Sequence, residues 1–194
     1  MLKVLLFICS IMPKPLLVFW YDSIKPFSGK LFLGIRYCIL KRLCASVGSK
    51  VIIGPNVAIK NWKGISIGNN VSIHDSCYVE GYGGITIGND VSIAHHCSLL
   101  STSHTWADAT LPIRLNPVEN KPLLIGNNVW LGCGVRVMSG ITISDNVIIG
   151  AGSIVTKSPA ANGIYVGNPA KFYKQVYPQA IDALKNGKEL VING

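Results

Sequence analysis

Aliphatic side chains recur every six residues along most of this chain. Ile53 and Ile59 are followed by Ile67, Ile73 and Val79, then by Ile87, Ile93 and Leu99. After a gap come Ile125, Leu131, Val137, Ile143, Ile149 and Val155. Two positions ahead of many of these stands a second compact residue: Val57, Val71, Cys77, Val91, Cys97, Val129, Val135, Ile141, Val147 or Ser153. The stretch GISIGNNVSI at 64–73 returns as GITIGNDVSI at 84–93. Six is a multiple of the strand period of two, so both slots point to the same side of an extended chain. Gly and Asn between the hexads permit turns. A 3.6-residue period is absent, which excludes an amphipathic-helix reading of this region. Three hexads close a triangular coil of eighteen residues, the spacing from Ile125 to Ile143. Stacked coils bury a ladder of aliphatic side chains that no single coil buries alone. The pattern predicts an all-β parallel β-helix over residues 47–174.

The flanks read differently. Ile35, Ile39 and Leu43 are spaced four apart and predict a basic amphipathic helix over 31–44, capping one end of the repeat. After Tyr177, PQAIDALKNG predicts a short helix with Pro178 in its first turn and Gly187 past its end. Residues 1–46 thus form an apolar, basic N-terminal segment and 175–194 a C-terminal cap. The repeat itself is interrupted once. Leu99 and Ile125 are one hexad and a twenty-residue loop apart. Insertions in solenoids lie on the binding face, and loops on rigid scaffolds carry function. Residues 101–121 are therefore the candidate active-site loop.

Charge sharpens the division. The formal net charge is +9, but residues 1–50 hold eight Lys and Arg against the single acid Asp22. Apolar runs such as MLKVLLFICSIM interrupt these charges. They form no Arg-rich helix or stacking platform, so nucleic acid is excluded as a partner. The first run, about eleven residues, is too short to span a bilayer. Two readings remain open for residues 1–46: an anchor at a membrane interface, or a cap on the end of the repeat. The six cysteines form no CxxC pair and no disulfide framework. Cys77 and Cys97 fall in the small inward slot, as reduced core residues do in a cytosolic protein.

Four motifs carry a family resemblance: STSHTW at 101–106, IGNNVWLG at 125–132, IGAGSIVTK at 149–157 and VGNPAK at 166–171. In this order they resemble the hexapeptide-repeat acyltransferases, and within them the sugar O-acetyltransferase branch acting on maltose, galactosides and capsular polysaccharides. The resemblance covers about residues 47–174. It implies a left-handed coil, a hand that periodicity alone does not give. It also implies acetyl-CoA as co-substrate, a saccharide acceptor in surface-polysaccharide synthesis, and a homotrimer with active sites between subunits. The expected location is cytoplasmic, with peripheral contact at the inner face of the membrane.

The resemblance also assigns roles. His104 aligns with the family's catalytic base. An alcohol is a poor nucleophile, and imidazole titrates where a base at neutral pH must. His74 stands where the galactoside branch has asparagine, and with Asp75 it is a candidate for acceptor contacts. Trp130 matches a tryptophan beside the cleft. Gly132 and Cys133 offer backbone N–H groups for the thioester oxygen. Ala151 and Thr156 match contacts of the pantetheine arm, and Lys157, Lys171 and Lys174 are placed to meet CoA phosphates. His95 and His96 are adjacent, but no third histidine at a fixed spacing completes a metal triad, so no metal is expected. Two other functions stay open: N-acetylation of an amino-sugar nucleotide, and a non-catalytic β-helix that binds or scaffolds.

Overall fold

In the computed structural model, which describes residues 2–177, the repeat winds into a parallel β-helix with three walls. The first sheet stacks Ser46–Val47, Ile65–Ile67, Ile85–Ile87, Leu123–Ile125 and Thr142–Ile143. The second stacks Ile52–Ile53, Ser72–Ile73, Val91–Ile93, Val129–Leu131, Ile148–Ile149 and Gly163–Val166, and the antiparallel strand Lys171–Gln175 closes its end. The third stacks Ala58–Lys60, Tyr78–Glu80, Ser98–Leu100, Arg136–Val137 and Ile154–Val155. Registers are even, so Ile53, Ile73, Ile93, Leu131 and Ile149 sit one above another. Every aliphatic and compact residue of the two sequence slots is buried. The alternation that the sequence shows is the alternation of core and surface.

Coil length departs from the eighteen residues expected. Ser46 pairs with Ser66 and Ala58 with Tyr78, a twenty-residue turn, whereas Leu124 pairs with Thr142, an eighteen-residue turn. The two extra residues sit at the corner after the third sheet. There Asn61 is left-handed and Trp62–Gly64 forms a 3-10 turn. The same corner one coil later is Gly81–Gly84. The eight-residue steps from Ile59 to Ile67 and from Val79 to Ile87 mark both places in the sequence.

The corner between the first and second sheets explains the recurring GNN and GND. Lys50, Asn70, Asp90, Asn128 and Asn146 are left-handed there, a conformation Asn and Asp tolerate best after glycine. The residue before each one builds a ladder. The side-chain oxygens of Asn69, Asn89, Asn127 and Asp145 accept the backbone N–H groups of Ser49, Asn69, Asn89 and Asn127. The glycine ahead of these has no room for a side chain: a Cβ on Gly68 would strike the backbone of Gly88.

Ahead of the first strand the chain forms three helices: α1 (Leu2–Ile11), α2 (Lys14–Ile24) and α3 (Lys30–Leu43). Helix α3 meets the expected 31–44. Its Ile35, Ile39 and Leu43 are buried in one cluster with Val51, Ile53 and Val57 of the first coil. Tyr21 of α2 donates its hydroxyl to the Val57 carbonyl at 2.8 Å and packs edge-on against Trp62. The segment is therefore a cap on the β-helix. The C-terminal helix expected after Tyr177 lies outside the described residues, and the last strand, Lys171–Gln175, runs just past the boundary expected at 174.

All six cysteines are free thiols. Cys77 and Cys97 stack in the inward slot, their Sγ atoms donating to the carbonyls of Ala94 and Gly132. The bond with Cys97, together with burial, pushes the Cys77 thiol above its ordinary range. The same bond holds the Cys97 thiol below its ordinary range, and both residues are buried in the core.

Candidate active site

The loop leaves the coil at the third corner, between the third and first sheets. Its neck is closed by Ser101, fully buried, whose carbonyl accepts the Lys121 N–H at 2.8 Å and whose hydroxyl accepts the Gly83 N–H at 2.9 Å. The loop then rises as an antiparallel ribbon, with Thr102 opposite Asn120, Ser103 opposite Glu119 and His104 opposite Val118. At its far end Asn116, 4% exposed, accepts the Asp108 N–H and donates to the carbonyls of Asp108, Leu111 and Pro112. Asp108 in turn accepts from the amide and hydroxyl of Thr110, and these bonds hold its carboxyl below the usual range. Sequence reasoning missed Ser101 and Asn116. The Asn116-Pro117 dipeptide was the available signal for a turn there.

His104 ends the outgoing strand and is exposed. Clefts open on both sides of it. One, about 250 Å³, is lined by Trp106, Glu119 and Lys121, the last two in an ion pair. The other, about 550 Å³, is lined by Tyr78, Glu80, Tyr82, Thr102 and Asn120. Glu80 is 7% exposed and accepts a hydrogen bond from Thr102 Oγ1 at 2.7 Å. Aromatic faces beside hydroxyl, amide and carboxylate groups suit a polyhydroxylated ligand. No group among the described residues hydrogen-bonds the His104 ring.

The other expected residues gather at the second corner, between the second and third sheets. Coil on coil, His74, Ala94, Gly132 and Gly150 form one column, and Asp75, His95, Cys133 and Ala151 the next. The ladder bonds His74 N–H to Ile93 O, Ala94 N–H to Leu131 O, and Gly132 N–H to Ile149 O fix the first. The bonds His96 N–H to Asp75 O, Gly134 N–H to His95 O, and Gly152 N–H to Cys133 O fix the second. This corrects one expectation. The Gly132 amide is engaged in the ladder and cannot donate to a thioester. Its lack of a side chain serves the next coil, since a Cβ there would strike the backbone of Ala151. The Cys133 amide has no acceptor among the described residues and remains the available donor. The Gly150 amide is likewise engaged, bonded to Tyr165 O. Gly152, left-handed at φ +69°, has open space on its side-chain face, although its amide is bonded to Cys133 O.

His95 and His96 pack edge to face at 5.4 Å. His96 is left-handed, at the corner position that glycine takes in later coils. Among the described residues no three His, Cys, Asp or Glu are grouped to hold a metal ion. Trp130 lies outward on the second sheet, 52% exposed, in a cleft with Asn128, Asn146 and Tyr177. Thr156 and Lys157 follow the last strand of the third sheet. Ile154 of that strand donates its N–H to Gly167 O and accepts from Ala170 N–H, which brings the segment starting at Lys171 beside the segment ending at Lys157. Lys174 lies on the strand that Lys171 begins, with its ammonium 5.6 Å from the Tyr173 ring. All three lysines are exposed.

The family model for bacterial transferase hexapeptide (six repeats) matches residues 123–157. The galactoside O-acetyltransferase of Escherichia coli K12 is 38% identical over 79 residues, which are 36% of this chain and 39% of that protein. The matched segment therefore spans well under half of that relative. A maltose O-acetyltransferase structure from Clostridium difficile 630 superimposes with a TM-score of 0.75 and 31% identity, covering 84% of this chain and 86% of the other. This chain belongs to the hexapeptide-repeat acyltransferase family. A second structural relative, a galactoside acetyltransferase in complex with coenzyme A, covers 84% of this hexapeptide-repeat chain with a TM-score of 0.72 and 28% identity. Within one copy of this hexapeptide-repeat protein, His104 stands at the third corner. The second-corner columns lie across the third sheet from it.

Proposed function

We propose that this chain is an O-acetyltransferase that moves acetyl from acetyl-CoA to a saccharide hydroxyl in surface-polysaccharide synthesis, at sites shared between the copies of a homotrimer. The observation that carries this is the division just described. His104 and its saccharide-sized cleft occupy one corner, and the columns with His74, Asp75, Cys133 and Ala151 another. In the proposed homotrimer the third corner of one copy would face the second corner of the next, so that each site draws on two copies. The coenzyme A complex of a relative with this fold supports the choice of acyl donor.

The chemistry follows from the groups present. His104 removes the proton of the acceptor hydroxyl as its oxygen attacks the thioester carbonyl carbon. The C–S bond then breaks, and the proton passes from His104 to the departing sulfur. A Cys133 N–H directed at the carbonyl oxygen would steady the charge that collects there. No acyl-enzyme forms. The test is incubation with acetyl-CoA and a panel of saccharides. CoA thiol should appear in step with an equal amount of sugar acetyl ester. Amide on amino sugars alone would place the chain among N-acetyltransferases. Absence of any transfer would leave a binding or scaffold role.

In this reading Thr156, Lys157, Lys171 and Lys174 meet the CoA arm as it leaves the coil, and phosphates are its strongly charged groups. Acetyl-CoA affinity is expected to fall with added salt and to fall further when the three lysines are changed to Ala together, because exposed ion pairs are screened. Titration calorimetry at two salt concentrations checks this, and an affinity indifferent to both would remove the phosphate role.

The cap supports a second contact. Val4, Phe7, Ile11 and Phe19 of α1 and α2 are each at least 60% exposed. No described helix is long and apolar enough to cross a membrane. Apolar side chains on a segment with seven cationic residues and one acid suit the surface of an anionic leaflet, where each Lys or Arg adds roughly 1 kcal/mol. The protein is expected to float with anionic vesicles at low salt and to be partly released at high salt. Equal flotation with neutral vesicles would contradict this.

A further inference from the structure

A cavity of about 260 Å³ lies where the helical cap meets the second corner, lined by Ser28, Gly29, Arg36, Gly54, His74 and Asp75 among others. Arg36, on α3, is fully buried. Its Nε donates to the Ile53 carbonyl at 2.8 Å and its Nη1 to the Phe27 carbonyl at 2.9 Å. Its Nη2 has no partner, and no other buried side-chain nitrogen or oxygen among the described residues is left so. The ion pairs among those residues are Lys25 with Asp22 and Lys121 with Glu119, so no carboxylate within 4 Å answers the guanidinium. A buried charged group without a full set of hydrogen-bond partners is costly. Asp75 is the one acid on the cavity; its charge is felt by Arg36, but it lies beyond ion-pair distance and leaves Nη2 without a partner.

A second feature points the same way. Ser28 and Gly29 lead into the fourteen-residue helix α3, so its N-terminus opens on this cavity. No side chain caps that end and no acid stands in its first turn. Unpaired N–H groups and the helix dipole make such an end attractive to negative charge. The chain thus gathers a buried guanidinium and a bare helix start on a cavity that also holds His74 and Asp75.

We infer that this cavity takes the carboxylate of an acidic saccharide acceptor. The inference rests on the reading that the second corner lines the acceptor site. Its geometry is independent of the transfer chemistry. An acid carried by the sugar pairs with Arg36 Nη2 and the α3 amides. The sugar ring then extends from the cap past His74 toward the His104 loop of the neighbouring copy. A neutral sugar leaves the guanidinium unanswered, so the site discriminates by charge.

Calorimetric titration of the intact chain with methyl glucuronide, methyl glucoside and inorganic phosphate tests this. The glucuronide should bind at least about tenfold more tightly than the glucoside, a preference that shrinks with salt. Arg36→Gln should abolish the preference, and Arg36→Lys should retain part of it. Because Arg36 also ties Phe27 to Ile53, those variants can lose the fold. Asp75→Asn avoids that risk and should tighten glucuronide binding severalfold by removing a like charge. Equal binding of both sugars by the wild type overturns the inference, as does phosphate binding without the glucuronide preference. Acetylation of neutral and acidic sugars alike would also overturn it while leaving the transfer reading intact. Charge-selective binding with no acetylation of any sugar would sink the transfer reading and keep the site.

Discussion

Replacing His104 with alanine is expected to lower acetyl transfer about 10²- to 10⁴-fold, the range that general-base catalysis supplies. The melting temperature and CoA affinity should be unchanged. The residue is exposed, its ring makes no hydrogen bond among the described residues, and the ribbon that carries it is held by Ser101, Asn116 and the backbone pairs of Thr102–His104 with Val118–Asn120. His95→Ala should cost far less. His96→Ala should act mainly on stability, because the position is left-handed and favours other residues. Initial rates with an accepting sugar, measured beside thermal melts, separate these outcomes. A loss in His95→Ala equal to that in His104→Ala would mean that the base is not His104.

The second large effect is on the fold. Ile93 is fully buried and stacked between Ile73 and Leu131. Ile93→Ala removes most of a core side chain from a ladder whose coils have little freedom to collapse. It should destabilise by about 2–5 kcal/mol. Ser92, one residue earlier, points outward in the same strand. Ser92→Ala gives up the half-buried hydrogen bond from Ser72 Oγ and should cost no more than about 1 kcal/mol. Urea unfolding of the two variants under identical conditions measures the contrast. Similar costs at both positions would contradict the core assignment.

That contrast was legible in the sequence because a strand period of two divides six, so each slot residue declares its side. The corners were legible too, since Asn after Gly is the cheapest way into a left-handed turn. The lengthened coils were visible as eight-residue steps, yet the eighteen-residue spacing of the later repeats was extended over them. What the pattern did not carry is what depends on partners far along the chain. Ser101 closes the loop through Gly83 and Lys121, and Arg36 reaches Phe27 and Ile53. No local spacing announces such contacts. The engaged Gly132 amide was hidden for a related reason: a glycine beside a cleft and a glycine under the next coil look the same in sequence. The separation of His104 from the second corner follows from counting sheets along the coil. Which faces meet between copies does not follow from one chain.

The claim that the site is shared between copies has a direct test. His104→Ala removes the base, and Ala151→Trp fills the second-corner groove. Each variant alone should be inactive. Co-expressed in equal amounts and allowed to assemble at random, the two should recover roughly a quarter of wild-type activity, because one interface in four then joins an intact His104 to an intact groove. Activity that stays at the level of the separate variants, with the mixed assembly confirmed by mass, would place the whole site within one chain and contradict the account.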